Sequence, residues 1–96
     1  MTIEYVLPNS SNEEISESDL ENLSEWEVRI ARNEIMARHG RKFNDESLQE
    51  YFDNCSWYSG TVDPEEFDKD YENNLNELEK KNIVTIKNYE KEKGYN

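Results

Sequence analysis

Between residues 71 and 89 the chain places Tyr71, Leu75, Leu78, Asn82, Ile86 and Tyr89 on one narrow stripe, with Ile83 beside it, when residues are turned by about 100° each. The opposite side is charge. Such a pattern suits a helix, and the spacing predicts a long one over 72–93, closed by Gly94. No period-2 run of useful length occurs anywhere, so the expected class is all-α: a small single-domain helical bundle.

Local signals divide the rest. Ser24 with Glu27 has capping-box spacing and predicts a central helix over 25–39 that stops at Gly40, while Ser16 with Asp19 marks a short turn near 18–23. Asn44 or Asp45 can cap a short helix over 45–53, whose Leu48, Tyr51 and Phe52 share a face. Trp57 and Tyr58 then plug one end of the core. Asp63 before Pro64, with Glu66 following, predicts a helical turn over 64–68 that carries Phe67. Residues 1–11, with Ile3, Tyr5 and Leu7 alternating before Pro8, read as an extended lead-in to a domain spanning 12–93.

Composition matters next because the apolar supply is short. Hydrophobic residues make up 33 % of 96 residues and charged ones 35 %, yet the aromatic content of 11 % and the regular stripes argue for a fold. A chain of this size buries roughly 60–65 % of its unfolded surface. Net charge is -12, and nucleic acid is excluded as a partner because most of this surface would repel phosphates. No apolar run approaches the roughly 18–20 residues of a membrane span, and the first residues lack the form of a signal peptide. Cys55 is the single cysteine and reads as packing. No cofactor motif and no specific metal site is expected; Asp68, Asp70 and Glu72 could hold calcium loosely or form a solvated acidic face.

Against this acidity stands a cationic knot. Arg29, Arg32, Arg38, Arg41 and Lys42 supply five of the eleven basic residues, accompanied by one acid, Glu34, and surround the only histidine, His39. On a wheel, Val28, Ala31 and Ile35 fall on one side and Trp26, Ile30 and Ala37 on the other, so the helix is expected to pack on two flanks. Polar residues there need partners. Arg32, Asn33 and Glu34 are expected to bond helix ends or loops such as 63–70. Glu25–Arg29 and Glu34–Arg38 have favourable i,i+4 spacing, and Arg38, His39, Arg41 and Lys42 can meet the carbonyls and dipole of the helix end. Arg38 and Arg41, flanking Gly40, are also candidates for an anion pocket. Arg38-His39-Gly40 matches the motif of histidine phosphatases, but a preceding strand, a second histidine and the required length are missing. The remaining catalytic reading is a small hydrolase or lyase using His39 and Glu34 with an arginine clamp.

The succession "ARNEIMARHGRKF", "LQEYF", "SWY" and "LNELEKKNIVTIKNYEK" resembles the YARHG domain, a small bacterial module, over residues from about 6 to about 92. The pattern coincides with Ala31 to Ile35, Ala37 to Gly40 and Phe43, with Tyr51, Phe52, Trp57 and Tyr58, and with Leu75, Asn76, Glu79, Asn82, Ile83 and Ile86. Met36 replaces the family's tyrosine, an exchange that suits a packing position. The resemblance implies an extracellular or cell-surface setting, in envelope proteins that often carry an anchor. The expected function is a noncatalytic binding module for a protein or cell-wall component, with a structural spacer as a further alternative. Arg32, Glu34, Arg38, His39, Arg41, Trp57 and Tyr58 are its candidate binding residues. Asn33, Gly40, Phe43, Tyr51, Phe52 and Asn82 form the structural part of the motif.

Overall fold

A computed structural model describes residues 5–95. Among them the chain forms α1 (Glu17–Leu20), α2 (Glu25–Ala37), α3 (Glu46–Asp53), α4 (Pro64–Lys69), α5 (Tyr71–Asn74) and α6 (Glu77–Lys93), with no named strand. It is a small all-α domain.

The hydrophobic core has two parts, and α2 lies between them. Val28, Ala31 and Ile35 face a larger cluster with Leu20, Phe67, Ile83 and Ile86, whereas Ile30 and Ala37 face a smaller one with Phe43, Leu48 and Phe52. The two-flank expectation holds, except that Trp26 is exposed and packs edge-on against Tyr51. Cys55 is buried in the smaller cluster, where its thiol donates to the Tyr51 carbonyl. Trp57 and Tyr58 close that cluster against Phe52.

Helix ends follow the side chains that cap them. Ser24 accepts from the Glu27 amide while Glu27 accepts from the Ser24 amide, and Asp45 accepts from the amides of Ser47 and Leu48. At Asp63 no side-chain cap forms; its carboxylate lies toward Lys42 instead. The long helix expected over 72–93 is two helices. Leu75 and Asn76 are extended, and Asn76 starts α6 through a second reciprocal box with Glu79, so the 71–89 stripe crosses a corner. The central helix also ends two residues early: the amides of His39 and Gly40 bond back to Met36 and Ala37 in a tighter turn.

One expectation about the lead-in changes. Bends at Val6 and Leu7 and turns over Pro8 to Asn12 stand in place of an extended segment, and they are tied into the body by side chains of α2 and α6. Ile3 lies outside the described residues.

Gly40 redirects the chain after α2. Its carbonyl accepts from the amides of Thr61 and Val62, and the Lys42 amide donates to the Val62 carbonyl, stitching 40–42 beside 61–62 through one isolated bridge. A Cβ at Gly40 would stand 2.7 Å from Thr61 Oγ1 and 3.1 Å from the Ser59 carbonyl oxygen, at a φ of 86°. Both steric room and backbone conformation therefore demand glycine. Gly94, at φ 72°, has open space around it. Gly40→Ala is expected to lower unfolding free energy by about 2–3 kcal/mol, against about 1 kcal/mol for Gly94→Ala; urea titration of both checks the difference.

Candidate functional site

The motif residues of α2 divide into a buried network and an open groove. Glu34 is fully buried and accepts from the amides of Val6 (2.8 Å) and Leu7 (3.0 Å) and from Arg38 Nη2 (3.2 Å). Arg38 also donates to the hydroxyls of Ser10 and Ser11 and to the Leu7 carbonyl, and its guanidinium lies 4.5 Å from the Tyr5 ring centre. Four hydrogen bonds and a ring face leave this arginine little capacity for a ligand.

Ser11 carries the network onward. Its hydroxyl donates to Glu79 (2.8 Å), and His39 Nε2 lies 2.8 and 3.0 Å from the two Glu79 oxygens. Burial opposes the charge of Glu79, but the Asn76 amide, His39 and the Ser11 hydroxyl outweigh it and hold the carboxyl below its ordinary range. At Glu34 burial prevails and lifts the carboxyl, although the amides of Val6 and Leu7 and the charge of Arg38 pull the other way. Asn82 completes the set by accepting from the Ile15 amide and donating to the carbonyls of Ser10 and Glu13. Side chains of α2 and α6 thus supply the hydrogen bonds that the N-terminal turns cannot make to a sheet or helix.

His39 and Glu34, paired in the catalytic reading, are not brought together: each is bonded to a different partner. Nor do Arg38 and His39 cap the end of α2, because both reach into the network instead. Arg29 binds Asp45 rather than Glu25. Arg32 does not reach 63–70; its Nε donates to Glu90 at 2.6 Å. From that segment only Asp68 meets the cationic knot through a two-pronged pair, with Arg41 Nε and Nη2 at 3.1 and 3.0 Å. Asp70 accepts from Asn73 and Glu72 pairs with Lys80, so the three acids proposed for calcium do not converge. Trp57 stacks near Tyr5, and the Tyr58 hydroxyl donates to the Arg41 carbonyl, which makes both part of the frame.

Two open concavities border Arg32: one of about 400 Å³ with Trp26, Arg29, Glu90 and Tyr95, and a groove of about 410 Å³ lined by Arg32, Asn33, Met36, Arg41, Asp68, Tyr71, Ile83 and Lys87, which holds more of the motif. Three cations and one carboxylate meet there over an apolar floor, and Lys87 makes no ion pair among the described residues. Of the candidate binding residues, Arg32 and Arg41 line it. Sequence reasoning missed Glu90 and Lys87. An acid four residues after Ile86 and seven after Ile83, on the apolar side of α6, was the available sign of a buried partner.

The family model of the YARHG domain matches residues 3–91. The chain belongs to the YARHG domain family. No curated protein and no solved structure matches it. Within this YARHG domain the central motif therefore has two uses, since Glu34 and Arg38 tie down the N-terminal turns and His39 holds the Glu79 that Ser11 reaches, while Arg32, Asn33 and Met36 line the groove. Met36, the departure from the family's tyrosine, is buried yet lines that groove, so the position packs and borders open space together.

Removing Arg38 strands the Glu34 charge, and Arg38→Met is expected to cost about 3–5 kcal/mol in chemical denaturation. The two carboxyls respond oppositely to acid. Glu79, lowered in the folded state, contributes stability that is present above its unfolded pKa and is lost as pH falls through its folded value. Glu34, raised in the folded state, instead favours the folded form as pH falls through that raised value. His39→Ala removes a bond that holds Glu79 low, so its acid-unfolding midpoint, followed by circular dichroism, should move to higher pH.

Proposed function

We propose that this YARHG domain is a noncatalytic binding module of a bacterial cell-envelope or secreted protein, with a protein or cell-wall component as its partner. One observation carries the reading: Glu34 and Arg38 are taken up by internal partners and the half-exposed His39 is held through Nε2 by Glu79, while the groove at Arg32, Arg41 and Lys87 stays open. A positive concavity on a chain of net charge -12 is a selective place for an anionic partner. Nucleic acid is disfavoured by the charge of the surrounding surface. No helix among the described residues is long and apolar enough to cross a membrane. The extracellular or surface location rests on the family resemblance.

Retention on peptidoglycan and on envelope protein extracts tests this reading. Wild-type domain should retain a component that Lys87→Glu and Arg41→Gln lose by roughly tenfold, a loss of the size expected for a charge-assisted contact. Folded His39→Ala should retain it. Turnover of an extract component that His39→Ala abolishes would favour the hydrolase or lyase reading; silence of every form would favour a spacer.

A further inference from the structure

The groove offers three kinds of contact that one ligand class satisfies together. The first is a guanidinium fork already holding a carboxylate. Arg41 presents Nε and Nη2 to both oxygens of Asp68, and Asp68 holds its place from the solvent side, with 53 % of its side chain exposed against 16 % for Arg41. An ion pair with so exposed a partner is weak and exchangeable. The second is a free acceptor. Asn33 is 94 % buried and donates through Nδ2 to the Arg29 carbonyl, but its Oδ1 accepts no hydrogen bond among the described residues. Asn33 lines the groove. Its oxygen is therefore available to an N–H donor entering from there. The third is an apolar floor presented by Tyr71 and the edge of Met36, with Ile83 sealed beneath, which an apolar side chain can cover.

Resting on the binding-module reading of the same groove, we infer that its ligand is a carboxylate-bearing peptide that displaces Asp68 from Arg41. The peptide carboxylate takes the fork, a backbone N–H donates to Asn33 Oδ1, and an apolar side chain covers the floor. Lys87, unpaired among the described residues, meets the remaining negative charge at the rim. Inorganic phosphate could occupy the fork equally well, but it carries no N–H for Asn33 and nothing to cover Met36 and Tyr71. Asp68 is thus a tethered competitor that sets the threshold for entry.

Calorimetric titration of the whole chain tests this with an acetylated leucine-glutamate peptide bearing a free C-terminus, its amidated counterpart, and inorganic phosphate. Asp68→Asn keeps the shape of the side chain and removes the competing charge, so peptide affinity should rise roughly fivefold, while Lys87→Glu lowers it roughly tenfold without a change in melting temperature. The amidated form decides between a side-chain and a terminal carboxylate: equal affinity assigns the side chain, loss assigns the terminus, and both support the peptide. Binding that depends on Lys87 but is unchanged or weakened in folded Asp68→Asn overturns the displacement. Phosphate binding with the same Lys87 dependence and no peptide binding overturns the peptide and keeps the groove as a site. Absence of all three ligands, together with retention of envelope components that ignores Lys87→Glu and Arg41→Gln, removes the binding reading of the groove itself.

Discussion

A single carboxylate sealed inside the protein determines much of the architecture. Glu34 has no exposure to water, so its charge exists only because two main-chain amides and Arg38 converge on it. Those amides belong to Val6 and Leu7, which fixes where the N-terminal turns must run. Arg38 then requires acceptors of its own and finds them in Leu7, Ser10 and Ser11. Ser11 passes the demand to Glu79, which engages His39 and the start of α6. Each group answers the hydrogen-bonding need created by the one before it, and the chain of needs crosses α2, α6 and the turns between them.

With hydrophobic residues at only a third of the sequence, such polar joints complement a limited apolar core. Replacing them piecemeal is hazardous because a buried network loses more when half satisfied than an apolar contact of equal size. The same economy separates the motif's two faces. On α2, residues 34 and 38 point inward to the network, and residues 32, 33 and 36 line the groove, so one short run of sequence serves both stability and an open surface.

Much of the helical layout was legible because capping and periodicity are local. Ser24 with Glu27, Asp45, Pro64 and Gly94 each mark an end within a few residues of where it falls. The break before α6 was equally local, since Asn76 with Glu79 repeats the spacing of Ser24 with Glu27, but the apolar stripe ran through the corner and hid it. Partners of the cations were not legible. Arg32 with Glu90 and His39 with Glu79 are 58 and 40 residues apart, distances at which charge alone selects no partner among 23 acids. The groove was half visible: Arg32 and Arg41 stood out by type, whereas Lys87 lies among many exposed lysines and acids, and only the packing of α6 against α2 gives it a place there.

Asn82 holds the carbonyls of Ser10 and Glu13 and the amide of Ile15 across separations of 67 to 72 residues. On a ribosome, the earliest part of this segment to emerge has its hydrogen-bonding mates among the last. The first turns must stay hydrated and unlatched until α6 clears the exit tunnel, which makes closure of the domain a late event in its synthesis.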